Sequence, residues 1–182
     1  ETLTPAQVTE RIVNDVRSEG DSAVVSYTSL ISHIDLEYIE VPRTEIASAA
    51  EQIDPELLDA LKLAAGRVRQ FHERCRVATG TEFFDAELGR KVLPLHRVGL
   101  YVPGGRYAYP SSVLMSAIPA QVAGVTEIVV ATPPGADGSV SPVTLAACHI
   151  AGVHRVFAIG GAQAIAALAY GTESVPRVYK IC

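Results

Sequence analysis

Val156-Phe-Ala-Ile-Gly-Gly-Ala-Gln-Ala-Ile-Ala-Ala-Leu-Ala-Tyr170 is the stretch whose reading decides the fold. It opens as an apolar run of the kind a buried parallel strand uses. It breaks at Gly160-Gly161 and resumes as an alanine-rich run that suits a helix, because Ala and Leu lose little entropy there. Gly171 closes it. A strand that turns straight into a helix leaves the first helical N–H groups without partners. Two glycines at that turn let backbone approach another group closely. The turn is therefore a place to receive an anion or a nucleotide phosphate. A Gly-Gly pair is not the Gly-x-Gly-x-x-Gly fingerprint, and a plain tight turn fits the same residues.

The same rhythm precedes and follows it. Val98-Gly-Leu-Tyr-Val102 reads as a strand stopped by Pro103-Gly104-Gly105. A helix over Val113–Ala123 follows, with Ser111 or Ser112 as its cap and a kink or split expected at Pro119. Glu127–Ala131 is a second strand, and Thr132–Val140 is rich in turn residues. A helix from Pro142 to Ala151 leads to a third strand, His154–Ile159. A fourth begins at Arg177-Val-Tyr-Lys-Ile181. Strands separated by helices give a parallel sheet with right-handed crossovers, an α/β, Rossmann-like layer spanning 97–182.

Residues 1–96 read differently, as a mostly helical region that forms part of a first domain. Thr4-Pro5 supplies an N-cap and a first-turn proline, and Val8, Ile12, Val13 and Val16 form a stripe. Gly20 stops that helix, and Asp21 is expected to cap a second one reaching about Leu30. Ile34–Val41 alternates apolar and acidic residues and predicts a short strand ended by Pro42. A helix from Arg43 to Gln52 comes next. Asp54-Pro55 then opens a helix of about five turns, with Leu57, Leu58, Leu61, Ala65, Val68, Phe71, His72 and Cys75 on its packed face. After Gly80, Thr81–Phe84 and Arg90–His96 read as two extended segments around Ala86–Gly89, with Pro94 suited to an edge.

The totals exclude several classes. Among 182 residues, 48% are hydrophobic, enough for a substantial core. No apolar run reaches the roughly 18 residues a membrane span needs. The start, Glu1-Thr-Leu-Thr-Pro5, shows no basic and apolar leader and no initiator Met, so secretion is not expected, and the chain is read as lying inside a longer protein. A net charge of −5 argues against nucleic acid as the main partner. That charge is uneven: the first hundred residues carry −6 and the remainder +1. Cys75, Cys148 and Cys182 are few, scattered and odd in number, which suits a reduced, cytoplasmic chain.

Ligands of open parallel sheets bind beyond the carboxyl ends of the strands. Tyr101 and Gln163 flank those ends. Tyr101 can stack on a ring or hydrogen-bond through its hydroxyl, or simply pack inside. Gln163 can present its amide beside free N–H groups, or cap its own helix. An ordinary dinucleotide fold places an acid at the end of the second strand. This chain has Ala131-Thr132-Pro133 there, so a dinucleotide would bind in an unusual way. His149 and His154 are separated by a helix end and do not make a metal motif. Ser111-Ser112 lacks the setting of a nucleophile. No catalytic residue and no metal ligand is assigned in this chain.

Val98-Gly-Leu-Tyr-Val-Pro-Gly-Gly105, Tyr109-Pro-Ser-Ser-Val-Leu-Met115, Ile118-Pro-Ala120, Val122-Ala-Gly124 and Gly160-Gly-Ala-Gln-Ala-Ile-Ala-Ala-Leu-Ala-Tyr-Gly-Thr-Glu-Ser-Val-Pro176 together resemble the histidinol dehydrogenase family. The likeness runs through almost all of 97–182 and more loosely through 1–96. It implies an NAD-dependent zinc enzyme of histidine biosynthesis, a homodimer, that oxidises L-histidinol to L-histidine through the aldehyde. It implies that Tyr101 and Gln163 contact NAD.

The resemblance also places the zinc ligands, the catalytic Glu-His pair, the substrate-binding residues and a third NAD contact beyond Cys182. The chain alone is therefore expected to be inactive. Tyr179 departs from the family's usual Asp. Two other readings are open: a nucleotide-binding or interaction module without the chemistry, and a zinc-dependent dehydrogenase of another small amino alcohol or polyol.

Overall fold

The computed structural model describes residues 3–36, 38–79, 82–104 and 107–182. The expected turn at Gly80, the start of the extended segment at Thr81, the second glycine of the first turn, Gly105, and Glu37 of the expected early strand lie outside them. Four parallel strands form the central sheet: β3 (Arg97–Tyr101), β4 (Glu127–Ala131), β5 (Arg155–Phe157) and β6 (Lys180–Ile181). Their spatial order is β5-β4-β3-β6. The register sets Tyr101 opposite Ala131 and Ala131 opposite Phe157, so three strand ends finish level.

Alternation along these strands builds two cores. Val98, Leu100, Ile128, Val130 and Val156 point to one face, where α5 (Pro110–Val122) and α6 (Pro142–Ile150) cover them. Val129, Ala131, Phe157 and Ile159 point to the other, beneath α7 (Gly161–Tyr170). The strands are apolar on both sides because both faces are covered.

The N-terminal helices complete both layers. α1 (Pro5–Glu19) and α2 (Asp21–Ser32) pack against α7 through Ile12, Val16, Ala23 and Val24. α3 (Arg43–Ser48), a 3-10 turn over Ala49–Glu51 and α4 (Pro55–Ala78) pack against α5 and α6. The Thr4 capping box and the Asp54 cap form as their sequences predict.

Several expectations change. Ile34–Val41 makes no strand: Glu40 forms one antiparallel bridge to Phe157, flanked by bonds from Val41 N to Val156 O and from Ala158 N to Ile39 O. Ile39 and Val41 are buried whereas Tyr38 is exposed, so the alternation shifts phase before the bridge. The helix expected to reach Gln52 tightens into the 3-10 turn after Ser48. Asp21 does not cap α2. Its carboxylate instead accepts hydrogen bonds from the Thr172 and Ser174 hydroxyls, and its N–H donates to Glu173.

α4 runs 24 residues and buries only Leu61 and Ala65, leaving Phe71 63% exposed. The hairpin forms as β1 (Phe83–Phe84) and β2 (Gly89–Arg90), and Pro94 lies in irregular chain rather than in a strand. α5 starts at Pro110, with Tyr109 at the cap position and neither serine capping. It continues past Pro119 unbroken. That proline sits in the last turn, and burial of Ala117, Ile118 and Val122 around it outweighs one missing backbone bond. β3 begins one residue earlier than predicted, at Arg97. β5 and β6 are shorter, because Ala158 turns to pair with Ile39 and β6 meets β3 only at Lys180 and Ile181.

Candidate functional site

The chain of crossovers puts α5 and α6 on one face and α7 on the other. The direction of winding therefore reverses between β3 and β6, which are neighbours in the sheet. Open α/β sheets bind ligands at this switch point, outside the carboxyl ends of the strands. Tyr101 is the last residue of β3 at that point, and its N–H donates to the Cys182 carbonyl just beyond β6.

The structure brings Tyr101 and the glycine turn together. The Tyr101 hydroxyl accepts a hydrogen bond from the Gly161 N–H at 3.1 Å, although Gly161 follows β5 and β4 lies between. Ala131, the register partner of Tyr101, is small and faces the same side, which leaves room for the ring to reach across. Tyr101 is half-buried, packed on the core of α1, α2 and α7 with its polar tip at the turn.

The glycines are used against one another as well as for open space. A Cβ on Gly160 would stand 2.6 Å from the Pro133 ring, and one on Gly104 would stand 2.5 Å from the Thr132 hydroxyl. The turns after β3, β4 and β5 thus nest into one rim. Gly161 has φ +64°, which a residue with a side chain adopts only under strain. Gly160 gives α7 no side-chain cap; the Tyr101 hydroxyl takes the Gly161 N–H, and the next N–H groups, of Ala162 and Gln163, remain at the rim.

Gln163 lies in the first turn of α7 and is 2% exposed. Its Oε1 is buried with no hydrogen-bond partner. It does not cap its own helix. A buried amide acceptor without a partner costs on the order of 1–3 kcal/mol. Such a cost persists where a ligand later supplies the donor. The sequence singled out the Gln163 amide, but the orphaned acceptor is a tertiary fact. The Tyr101–Gly161 bond was likewise invisible, because sixty residues separate its partners.

Other candidates resolve into structure. Burial pushes the Cys148 thiol up to about 12, so it stays protonated near neutral pH and is no nucleophile. The His154 Nδ1 accepts from the Ile128 N–H at 3.0 Å and serves the sheet. His72 is half-buried and meets Phe71 edge-on at 5.2 Å between ring centroids. Tyr179 is exposed, edge-on to His96. Among the described residues, no three of His, Cys, Asp and Glu converge to hold a metal ion. No helix among them is long and apolar enough to cross a membrane.

Comparison with known proteins gives one consistent answer. A protein-family model described as histidinol dehydrogenase matches residues 3–182. A histidinol dehydrogenase of Dehalococcoides mccartyi (strain ATCC BAA-2266 / KCTC 15142 / 195) is 51% identical over 178 residues, covering 98% of this chain and 41% of the relative. One of Methanosarcina barkeri (strain Fusaro / DSM 804) is 48% identical over 180 residues, covering 97% and 41%. The crystal structure of histidinol dehydrogenase from Elizabethkingia anophelis matches with a TM-score of 0.90 at 30% identity, covering 100% of this chain and 42% of that one. The chain thus spans about two fifths of the length of the curated relatives it matches.

Proposed function

The chain belongs to the histidinol dehydrogenase family, and from that premise we propose that residues 97–182 form the NAD side of an enzyme oxidising L-histidinol to L-histidine. The observation that carries this reading is the orphaned Gln163 Oε1 beside the only partly capped N-terminus of α7 at a switch-point rim. NAD, when bound, supplies the hydride acceptor. Tyr101 fixes the Gly160-Gly161 turn through its hydroxyl and presents its ring at the end of β3. The free N–H groups of α7 suit a phosphate oxygen. The Gln163 acceptor suits an N–H or O–H donor on the cofactor.

The described residues do not fit the family's zinc, and no step is assigned to it here. Nor do they offer a base positioned to take a proton from an alcohol. The chemistry belongs, on this reading, to portions that the relatives have and this chain does not span. Residues 1–96 are the helical part that clasps the sheet. Exposed Phe83, Phe84 and Leu93 support the family's homodimer, and the three free thiols support a cytoplasmic setting.

The test is turnover by the chain 1–182 supplied with L-histidinol, NAD and zinc. No NADH is expected. Sustained NADH production would show that the catalytic groups lie within these residues and would overturn the division of labour.

A further inference from the structure

A groove of about 640 Å³ lies at the amino ends of the strands, on the opposite edge of the sheet from the Gly160-Gly161 rim. Pro94, just ahead of β3, and Gly124, just ahead of β4, form its inner end. The second half of α4 and the flanks of the hairpin form its sides. The volume falls within the range of ligand pockets, about 300–1,000 Å³. Its walls are braced against one another. Arg76 Nη1 donates to the Val122 carbonyl at 3.1 Å and joins α4 to α5. The Val92 N–H donates to Glu82 Oε1 at 2.9 Å and joins the chain on either side of the hairpin. Pro94 packs on Gly124, where an added Cβ would stand 3.4 Å from the proline Cβ.

The acceptors around the groove are already engaged. At the end of α4 the Cys75 carbonyl accepts from the Thr79 N–H at 2.9 Å and from the Thr79 hydroxyl at 3.1 Å. At the end of α5 the Val122 carbonyl accepts from Arg76. Glu82, the one carboxylate on the walls among the described residues, holds Val92 through Oε1. Donors are in surplus. No ion pair among the described residues uses Arg76 or Arg90. A guanidinium carries five N–H donors, and the Val122 carbonyl takes one of those of Arg76. Two cations thus face the groove against one committed carboxylate, in the half of the chain whose net charge is negative.

The floor is apolar. Val92, Pro94, Pro119 and Val122 supply it, and Val92 is left 48% exposed. A bare phosphate would leave that floor in water, and a plain hydrocarbon would leave the guanidinium donors without acceptors. A ligand with both characters matches the whole groove. We propose that it binds a small amphipathic anion, with the charged oxygens against Arg76 and Arg90 and the apolar body on Val92, Pro94 and Pro119. The groove is remote from the rim, so the proposal is independent of the cofactor reading.

Octanoate and its uncharged analogue 1-octanol are the probes, titrated into the intact protein by calorimetry and read a second time by alkylation. Cys75 is half-buried on the groove wall, whereas Cys182 is exposed beyond β6. Octanoate is expected to bind at one site, to slow iodoacetamide labelling of Cys75 by about fivefold at saturation, and to leave Cys182 unchanged. Inorganic phosphate should protect neither. Arg90→Gln should weaken octanoate by about threefold to tenfold and leave 1-octanol unchanged, because the site is partly solvated. Val92→Glu, at an exposed position, should abolish protection by both probes. Absence of octanoate binding, binding that leaves Cys75 unprotected, or equal octanoate affinity in wild type and Arg90→Gln would each overturn the proposal.

Discussion

Tyr101 ties together parts of the chain that no local pattern relates. Its backbone joins β3 to the residue beyond β6, and its hydroxyl joins β3 to α7. Tyr101→Phe keeps the ring and removes one hydrogen bond, so chemical denaturation should show a loss of about 0.5–1.5 kcal/mol. Gly160→Ala places a methyl group against the Pro133 ring. Overpacking of this kind costs about 1–3 kcal/mol, and the same titration should show it. At this scale the sequence singles out residues whose packing it cannot read. It reads the glycine pairs as openings for a ligand, whereas Gly104 and Gly160 also let three turns nest. It offers Gln163 as either cap or contact, and only packing shows that the amide oxygen is left without a donor.

Elements follow local rules where those rules act alone and depart from them where tertiary contacts intervene. The caps at Thr4 and Asp54 and the four strand positions are legible because capping and apolar runs are local signals. Ser111 and Ser112 mislead, since Pro110 already fits the first helical position and leaves them in the first turn. Asp21 looks like a cap and is drawn instead to hydroxyls more than 150 residues away. The stripe on α4 is real as a pattern, but α4 packs on α5 and α6 mainly through Leu61 and Ala65, and Phe71 is left bare. Gly66, in the middle of that helix, has open space where a Cβ would go. Gly66→Ala should therefore stabilise the protein by about 0.5–1 kcal/mol, seen as a higher thermal midpoint.

At the scale of the whole chain, the N-terminal helices clasp the sheet's own helices: α1 and α2 pack on α7, and α3 and α4 on α5 and α6. Charge helps fix the clasp at the β5 edge. Both carboxylate oxygens of Glu40 accept from Arg155, at 2.8 and 2.5 Å, and Arg155 also donates to the Ser174 carbonyl. A partly exposed bidentate pair contributes modestly, so Glu40→Gln should cost roughly 1 kcal/mol, and added salt should narrow the difference from wild type. The order of the strands was not legible in the sequence, because their apolar runs carry no signal of neighbourhood. Yet that order places the switch point at Tyr101. Under the proposed function, the buried, partnerless Gln163 Oε1 receives a donor from NAD. Gln163→Met keeps the shape and removes the orphaned acceptor. Measured together on the intact protein, thermal unfolding and NAD titration should move in opposite directions, with a higher midpoint and an affinity lower by about tenfold or more. An unchanged NAD affinity in this variant would contradict the account.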